Sequence, residues 1–203
     1  MLYTGKGDDG TTKTFGCDQR ISKSSSIAEA LGSLDEINSF LGLVKIKSEK
    51  VSFPLPSGEI LLSETIGRIQ QDLFIIQAEL AGADKTISEE KVIWLEEIVN
   101  GIEKILPPIK TFFVSGGTEL AALSDIARTI ARRAERRVVG VAEEQITTPD
   151  SAESTPPQQG GVQIQPVGKY TLAYLNRLSS VLYAFARAAN HIAGINEETP
   201  KYN

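Results

Sequence analysis

Apolar residues recur at intervals of three and four along most of the chain, as they do in helices with one buried face. Ile27, Ala30, Leu31, Leu34, Ile37, Leu41 and Val44 keep that register and predict a helix over about 25–47. Its Gly32 and Gly42 lower helix propensity but leave room for another backbone or a ligand. "VSFPLPSGE" reads as a loop whose Ser57 caps a second helix through Ala83, carried by Ile60, Leu61, Ile66, Ile69, Leu73, Ile76 and Leu80, with Gly82 as its stop signal. Thr86-Ile-Ser-Glu89 has the capping-box spacing for a third helix, about 87–105, which Pro107 and Pro108 end. A fourth follows "SGGTE" over about 118–143, with Thr118 as candidate cap. A fifth, about 169–193, rests on Leu172, Leu175, Leu178, Leu182, Phe185 and Ala189.

Between the last two helices, residues 147–166 are rich in Pro, Ser, Gln and Gly and predict a flexible insertion. Strand alternation is nearly absent, and no repeat of solenoid length is visible. The expectation is an all-α, five-helix bundle forming a single domain over residues 1–203.

Composition narrows the partners. Lysine and arginine number 21 against 26 acidic residues, a net charge of −5, so no global basic field draws the chain to nucleic acid or an anionic membrane. No apolar run approaches a membrane span and no signal peptide is seen. The lone Cys17 suits a reducing compartment. A cytoplasmic protein is expected.

Any anion site must therefore be local, and two stretches suggest one. In "YTGKGDDGTTKT", Gly5, Gly7 and Gly10 spell G-x-G-x-x-G. A dinucleotide fingerprint needs a buried strand before it and a helix opening at its end. Only two residues precede Tyr3 and no helix opens until about Ser25, so the Rossmann reading fails. A phosphate cradle of another kind remains. The second stretch is "ARTIARRAERR", where Arg128, Arg132 and Arg136 stack at i, i+4 and i+8 beside Arg133 and Arg137. Like charges so spaced repel by a few tenths of a kcal/mol. They call for carboxylates from another helix or for phosphate oxygens, which a guanidinium fork holds in bidentate fashion. A solvated face with Glu135 answering Arg132 is the plain alternative, but Ala127, Ile130, Ala131 and Ala134 mark a largely buried helix.

Asp35 and Glu36 are candidate partners for the stripe, within one chain or across a subunit boundary. Asn176 and Arg177 pose the same choice between a structural and a site role. Phe112 and Phe113 lie in a loop; one is expected to plug the core, the other to offer an apolar wall to a large flat ligand. His191 is the only histidine, which excludes a zinc cluster or a histidine-based triad, and no metal ligands are assigned.

Together "YTGKGDDGTT", "RISK", "ALGSLDEINSFLG", "FVSGGTELAA", "ARTIARRAERRVV" and "YLNRLSSVLYAFARAAN" resemble, in order and spacing, the PduO-type ATP:cob(I)alamin adenosyltransferases. The resemblance spans nearly the whole chain. It implies a trimer of five-helix bundles that binds ATP and corrinoid between subunits and transfers the 5′-deoxyadenosyl group of ATP to cobalt. A non-catalytic carrier that hands adenosylcobalamin to a mutase is the alternative.

By the same resemblance residues 1–24 form the ATP loop, with Thr4, Gly5, Lys6, Gly7, Asp8, Gly10, Thr12 and Lys13 near the nucleotide and Lys23 on the phosphates. Arg132, Arg133, Glu135, Arg136 and Asn176 continue that site. Arg128 pairs across the interface with Asp35, Phe112 packs under the corrin, and Tyr183 adds a second aromatic wall. Magnesium on the triphosphate, a cobalamin reductase and an adenosylcobalamin-dependent mutase are the further partners implied. Three positions depart from the family pattern: Lys6 where threonine is common, Ser115 where the turn usually carries proline, and Ser124 where histidine is frequent.

Overall fold

The computed structural model describes residues 2–14, 20–147, 158–159, 162–163 and 166–202. Five helices carry the architecture: α1 (Ser26–Lys47), α2 (Leu62–Leu80), α3 (Glu89–Glu103), α4 (Glu119–Thr147) and α5 (Lys169–Ile192). α1 packs on α2 and α4, and α5 on α3 and α4. Their apolar faces share one core in which Leu34, Ile37, Leu41, Ile66, Ile69, Leu73, Leu178, Leu182 and Phe185 are wholly buried. The periodicity in the sequence corresponds to this face, helix by helix.

Among the described residues the only strands are short, in three antiparallel two-stranded ladders: β1 (Thr11–Lys13) with β2 (Arg20–Ser22), β3 (Ser52–Leu55) with β4 (Gly58–Leu61), and β5 (Gln158–Gln159) with β6 (Val162–Gln163). β3–β4 corrects the second helix. Ser57 does not cap it but lies in the hairpin turn, and α2 begins at Leu62. The reason is packing. Phe53 and Leu55 point inward from β3, with the Phe53 ring 6.0 Å from Phe185, and this burial holds the segment extended.

The third helix likewise starts later than the capping box proposes. Ile87 is buried and α3 opens at Glu89 after Ser88, which makes no side-chain cap bond. α4 runs four residues past its expected end, its last turn tied down where Gln145 Oε1 accepts the Val167 N–H at 3.0 Å. Thr118 does cap it, accepting the Ala121 amide at 3.1 Å. The expected flexible insertion lies mostly outside the described residues. Among those described, no helix is long and apolar enough to cross a membrane.

Candidate active site

The long α4 organises the candidate residues because it crosses the bundle beside both α1 and α5. Ala127, Ala131 and Ala134 are fully buried against those neighbours, which turns Arg132, Arg133, Arg136 and Arg137 outward. The carboxylates that answer the stripe come largely from α1. Arg133 Nη2 meets Glu36 Oε1 at 2.5 Å, and Arg137 Nη2 meets Glu29 Oε2 at 3.8 Å. Arg128 is held within its own helix by Asp125, at 3.1 Å from Nε. Arg132 and Arg136 have no ion-pair partner among the described residues.

Glu135 does not answer Arg132. Its Oε1 accepts from Asn176 Nδ2 at 2.9 Å, and Asn176 Oδ1 in turn accepts from Arg177 at 2.7 Å. Asn176 is exposed, so it satisfies no core group; it joins α5 to the outer face of α4 beside the arginines. Arg177 is taken by Glu96 of α3 at 2.8 Å.

At one end of α4 a cavity of about 630 Å³ gathers Phe112, Arg128, Arg132 and Tyr183 from the preceding loop, α4 and α5. Phe112 is 78% exposed and faces this space; Phe113 is half-buried but lines the same cavity and does not pack into the shared core, so neither ring plugs it. The Arg128 guanidinium lies 5.8 Å from the Tyr183 ring centre. Burial pushes the Tyr183 hydroxyl above the usual phenol range, with Glu197 and Asp125 adding to the effect, so it stays a neutral, largely apolar wall. Ser115 is exposed on the same rim. Ser124 on α4 is fully buried, with a hydroxyl that has no hydrogen-bond partner among the described residues.

The glycine-rich loop sits elsewhere. Lys23 anchors it: Lys23 N donates to Gly10 O at 2.9 Å and Nζ to Gly7 O at 2.7 Å, which brings the ammonium into the loop. A Cβ on Gly7 would stand 3.1 Å from the backbone oxygen of Thr11 as well as 3.0 Å from that Nζ, a tight fit for any larger residue. The loop also consumes its own amides. Lys6 N bonds Thr4 Oγ1, Asp8 N bonds Gly5 O, Gly10 N bonds Gly7 O and Thr11 N bonds Asp9 Oδ1. Fewer N–H groups are left to a ligand than a simple anion nest would offer. The Thr11 hydroxyl and amide hold the Asp9 carboxyl below the usual range. Thr12 and Lys13 follow on β1, opposite Ile21 and Arg20.

Ser26, just beyond the loop, donates to Glu144 at 2.5 Å. At 1.5 Å per residue Arg132 lies about 18 Å from that point along α4. The start of α1, which follows the loop, thus meets the C-terminal end of α4, whereas the cavity lies along the N-terminal half of that helix. Asp35 is exposed on α1 and does not meet Arg128, whose partner in the chain is Asp125.

Several cavity residues carry no local sequence signal. Asn190 Oδ1 accepts the Thr118 N–H and its Nδ2 donates to Gly116 O, each at 2.9 Å, fixing the turn behind Phe112. Asp125, Arg187 and Glu197 also belong to this end of the molecule. Asp125 pairs within its own helix with Arg128, and Arg187 reaches both Glu197 and the distant Pro107.

Among the described residues no three His, Cys, Asp or Glu side chains converge as metal ligands. The chain offers guanidinium and ammonium groups to an anion and an aromatic wall to a flat molecule.

Comparison with known proteins agrees with this inventory. The profile of the family described as cobalamin adenosyltransferase matches residues 2–189. A corrinoid adenosyltransferase of Bacillus subtilis (strain 168) is 34% identical over 200 residues, covering 97% of this chain and 90% of that protein. The corrinoid adenosyltransferase PduO of Citrobacter freundii is 35% identical across 96% of this chain, which spans 51% of that longer protein. Among solved structures, a phenylalanine-to-alanine variant of the PduO-type ATP:corrinoid adenosyltransferase from Lactobacillus reuteri, complexed with cobalamin and ATP, superposes with a TM-score of 0.78 at 30% identity over the whole of both chains. The chain belongs to the cobalamin adenosyltransferase family.

Proposed function

We propose that the protein transfers the 5′-deoxyadenosyl group of ATP to the cobalt of cob(I)alamin and releases triphosphate. The observation that carries this reading is the cavity where the exposed Phe112 ring, the Tyr183 wall and Arg132, which has no ion-pair partner among the described residues, meet. A flat, largely apolar ligand and a polyanion are the two things such a place binds together.

In the reaction Co(I) attacks C5′ of ribose, a Co–C bond forms, and the C5′–O bond breaks with its electron pair leaving on triphosphate. The cobalt ends as alkyl-Co(III). Co(I) is itself a strong nucleophile, so no general base is needed, in keeping with a chain whose one histidine, His191, lies outside the residues lining the cavity. The protein's tasks are orientation, which supplies roughly 7–11 kcal/mol in favourable cases, and stabilisation of the leaving charge. Arg132 and Arg136 serve the polyphosphate, with Lys23 and the loop from Thr4 to Lys13 closing over the nucleotide. Phe112 occupies the lower face of the corrin, so that no donor ligand reaches cobalt there and reduction to Co(I) becomes easier.

Magnesium has no cage to enter here, because no acidic cluster converges among the described residues. It would ride on phosphate oxygens and water, as this ion commonly does, and no step is assigned to it.

The roughly 18 Å along α4 between Glu144, which the start of α1 meets, and Arg132 supports sites shared between copies, the loop of one closing on the arginines of the next. A homotrimer is the assembly we infer, in the cytoplasm, with a reductase supplying Co(I) and a mutase receiving the product. Anaerobic formation of adenosylcobalamin and one equivalent of triphosphate from ATP and cob(I)alamin tests the activity. ATP binding without product would support the carrier reading instead.

A further inference from the structure

The loop between α3 and α4 and the segment after α5 meet on one guanidinium. Arg187 lies on α5, one turn beyond Tyr183, with its side chain only 6% exposed. Its Nε donates to Glu197 Oε2 at 3.0 Å, its Nη2 donates to Pro107 O at 3.3 Å, and its Cζ stands 5.0 Å from the Phe113 ring centre. The Glu197 carboxylate is itself 17% exposed and belongs to the segment that follows α5. The next residue of that segment, Glu198, accepts the Val114 N–H on its carbonyl at 2.8 Å.

The ties fall at Pro107, Phe113 and Val114, on both sides of Phe112, and leave that ring exposed. Where Phe112 stands is thus decided by what grips its neighbours. Glu197 and Phe112 also line the same cavity. A buried ion pair is a poor way to add stability, since desolvating two charges offsets most of their attraction. What an arginine supplies, and an apolar residue does not, is several directed donors from one rigid plane.

We propose that Arg187 and Glu197 form a latch through which the segment after α5 sets the Phe112 loop against the corrin. They are positioning residues for the corrinoid half of the reaction and not for the ATP half. The inference rests on the transferase reading above.

The test is Glu197→Gln in the full chain, beside wild type, with ATP and cob(I)alamin varied separately. The latch predicts a corrinoid KM raised about tenfold or more with the ATP KM held within about twofold. It also predicts that, with ATP present, a smaller share of bound cob(II)alamin shows the spectrum of cobalt without a lower ligand. Glu197→Asp, which keeps the charge, is expected to fall between wild type and Glu197→Gln. A chain ending at Asn196 removes the carboxylate and the Glu198 carbonyl together, and is expected to show the same split more strongly.

Equal shifts in both KM values, or no shift, overturn the latch. Loss of the folded state in both Glu197→Gln and the shortened chain assigns the pair to bundle stability and also overturns it. No product from wild type defeats the transferase reading and the latch with it, whereas wild-type turnover with unsplit constants defeats the latch alone.

Discussion

Asn190 and Gly117 are fitted to one another. Gly117 has φ +98°, and a Cβ placed there would stand 2.3 Å from Asn190 Oδ1, the atom that accepts the Thr118 N–H. The backbone conformation and the side-chain contact each require glycine, and together they join the Phe112 loop to α5. Gly117→Ala is expected to destabilise the fold by about 1–3 kcal/mol and to lower adenosylation further than the lost stability explains. Denaturant titration and turnover measured on the same preparation check this. Wild-type values for both would show that the turn adapts.

Lys23 offers a contrasting case. Its Nζ braces Gly7 O from an exposed position, so its loss removes little from the fold but leaves the loop unanchored and takes a cation from the phosphates. Lys23→Met is expected to raise the ATP KM about tenfold or more, with the corrinoid KM and thermal midpoint near wild type. A corrinoid-only effect would place the lysine elsewhere in the reaction.

The polar group inside the bundle predicts a pH dependence. Tyr174 is fully buried and donates to Asp72 Oδ2 at 3.1 Å, while Lys91 pairs with the other carboxylate oxygen. Burial first, and then the Asp72 carboxylate, push the Tyr174 hydroxyl well above its ordinary value of 10.0. The unfolded chain releases this proton near pH 10 and the folded chain does not. The contribution is therefore fully present below about pH 10 and is lost as pH rises beyond it. Tyr174→Phe is expected to cost about 1 kcal/mol at neutral pH and to flatten the alkaline loss of stability. An alkaline limb unchanged in the variant would assign that loss to other groups.

Neighbouring carboxylates on α1 are expected to behave differently. Glu36 pairs with Arg133 at the surface, with both side chains about half exposed, so Glu36→Gln should change stability by less than about 1 kcal/mol. Asp35 has no such partner among the described residues, and the proposal gives it Arg128 of another copy. Asp35→Asn is expected to weaken assembly, read by sedimentation. Unchanged assembly and activity would remove the pairing.

How far this was legible in the sequence depended on how local the cause was. The five helices could be read because each buries a face at intervals of three and four, and the arginine stripe because its spacing is a property of one helix. β3–β4 could not, since Pro54, Pro56 and Gly58 read as a loop and only the burial of Phe53 beside Phe185 makes it a hairpin. Asp125, Arg187, Asn190 and Glu197 lacked any signal of their own. Asn190 acquires its role from Gly116 and Thr118, more than seventy residues earlier, and Arg187 from Pro107. The resemblance to the family named Phe112, Arg128, Arg132 and Tyr183, and these four do gather around one cavity. It placed the ATP loop at the same reaction centre, which one chain alone does not bring together.

The central claim is that Arg132 acts on the polyphosphate of ATP during transfer to cobalt. The most direct measurement is anaerobic: ATP, magnesium and chemically reduced cob(I)alamin are mixed with wild type or Arg132→Ala, and adenosylcobalamin is followed by its spectrum. The account predicts steady product from wild type and a fall of about a hundredfold or more in Arg132→Ala with the fold intact. Equal rates from the two proteins would contradict it.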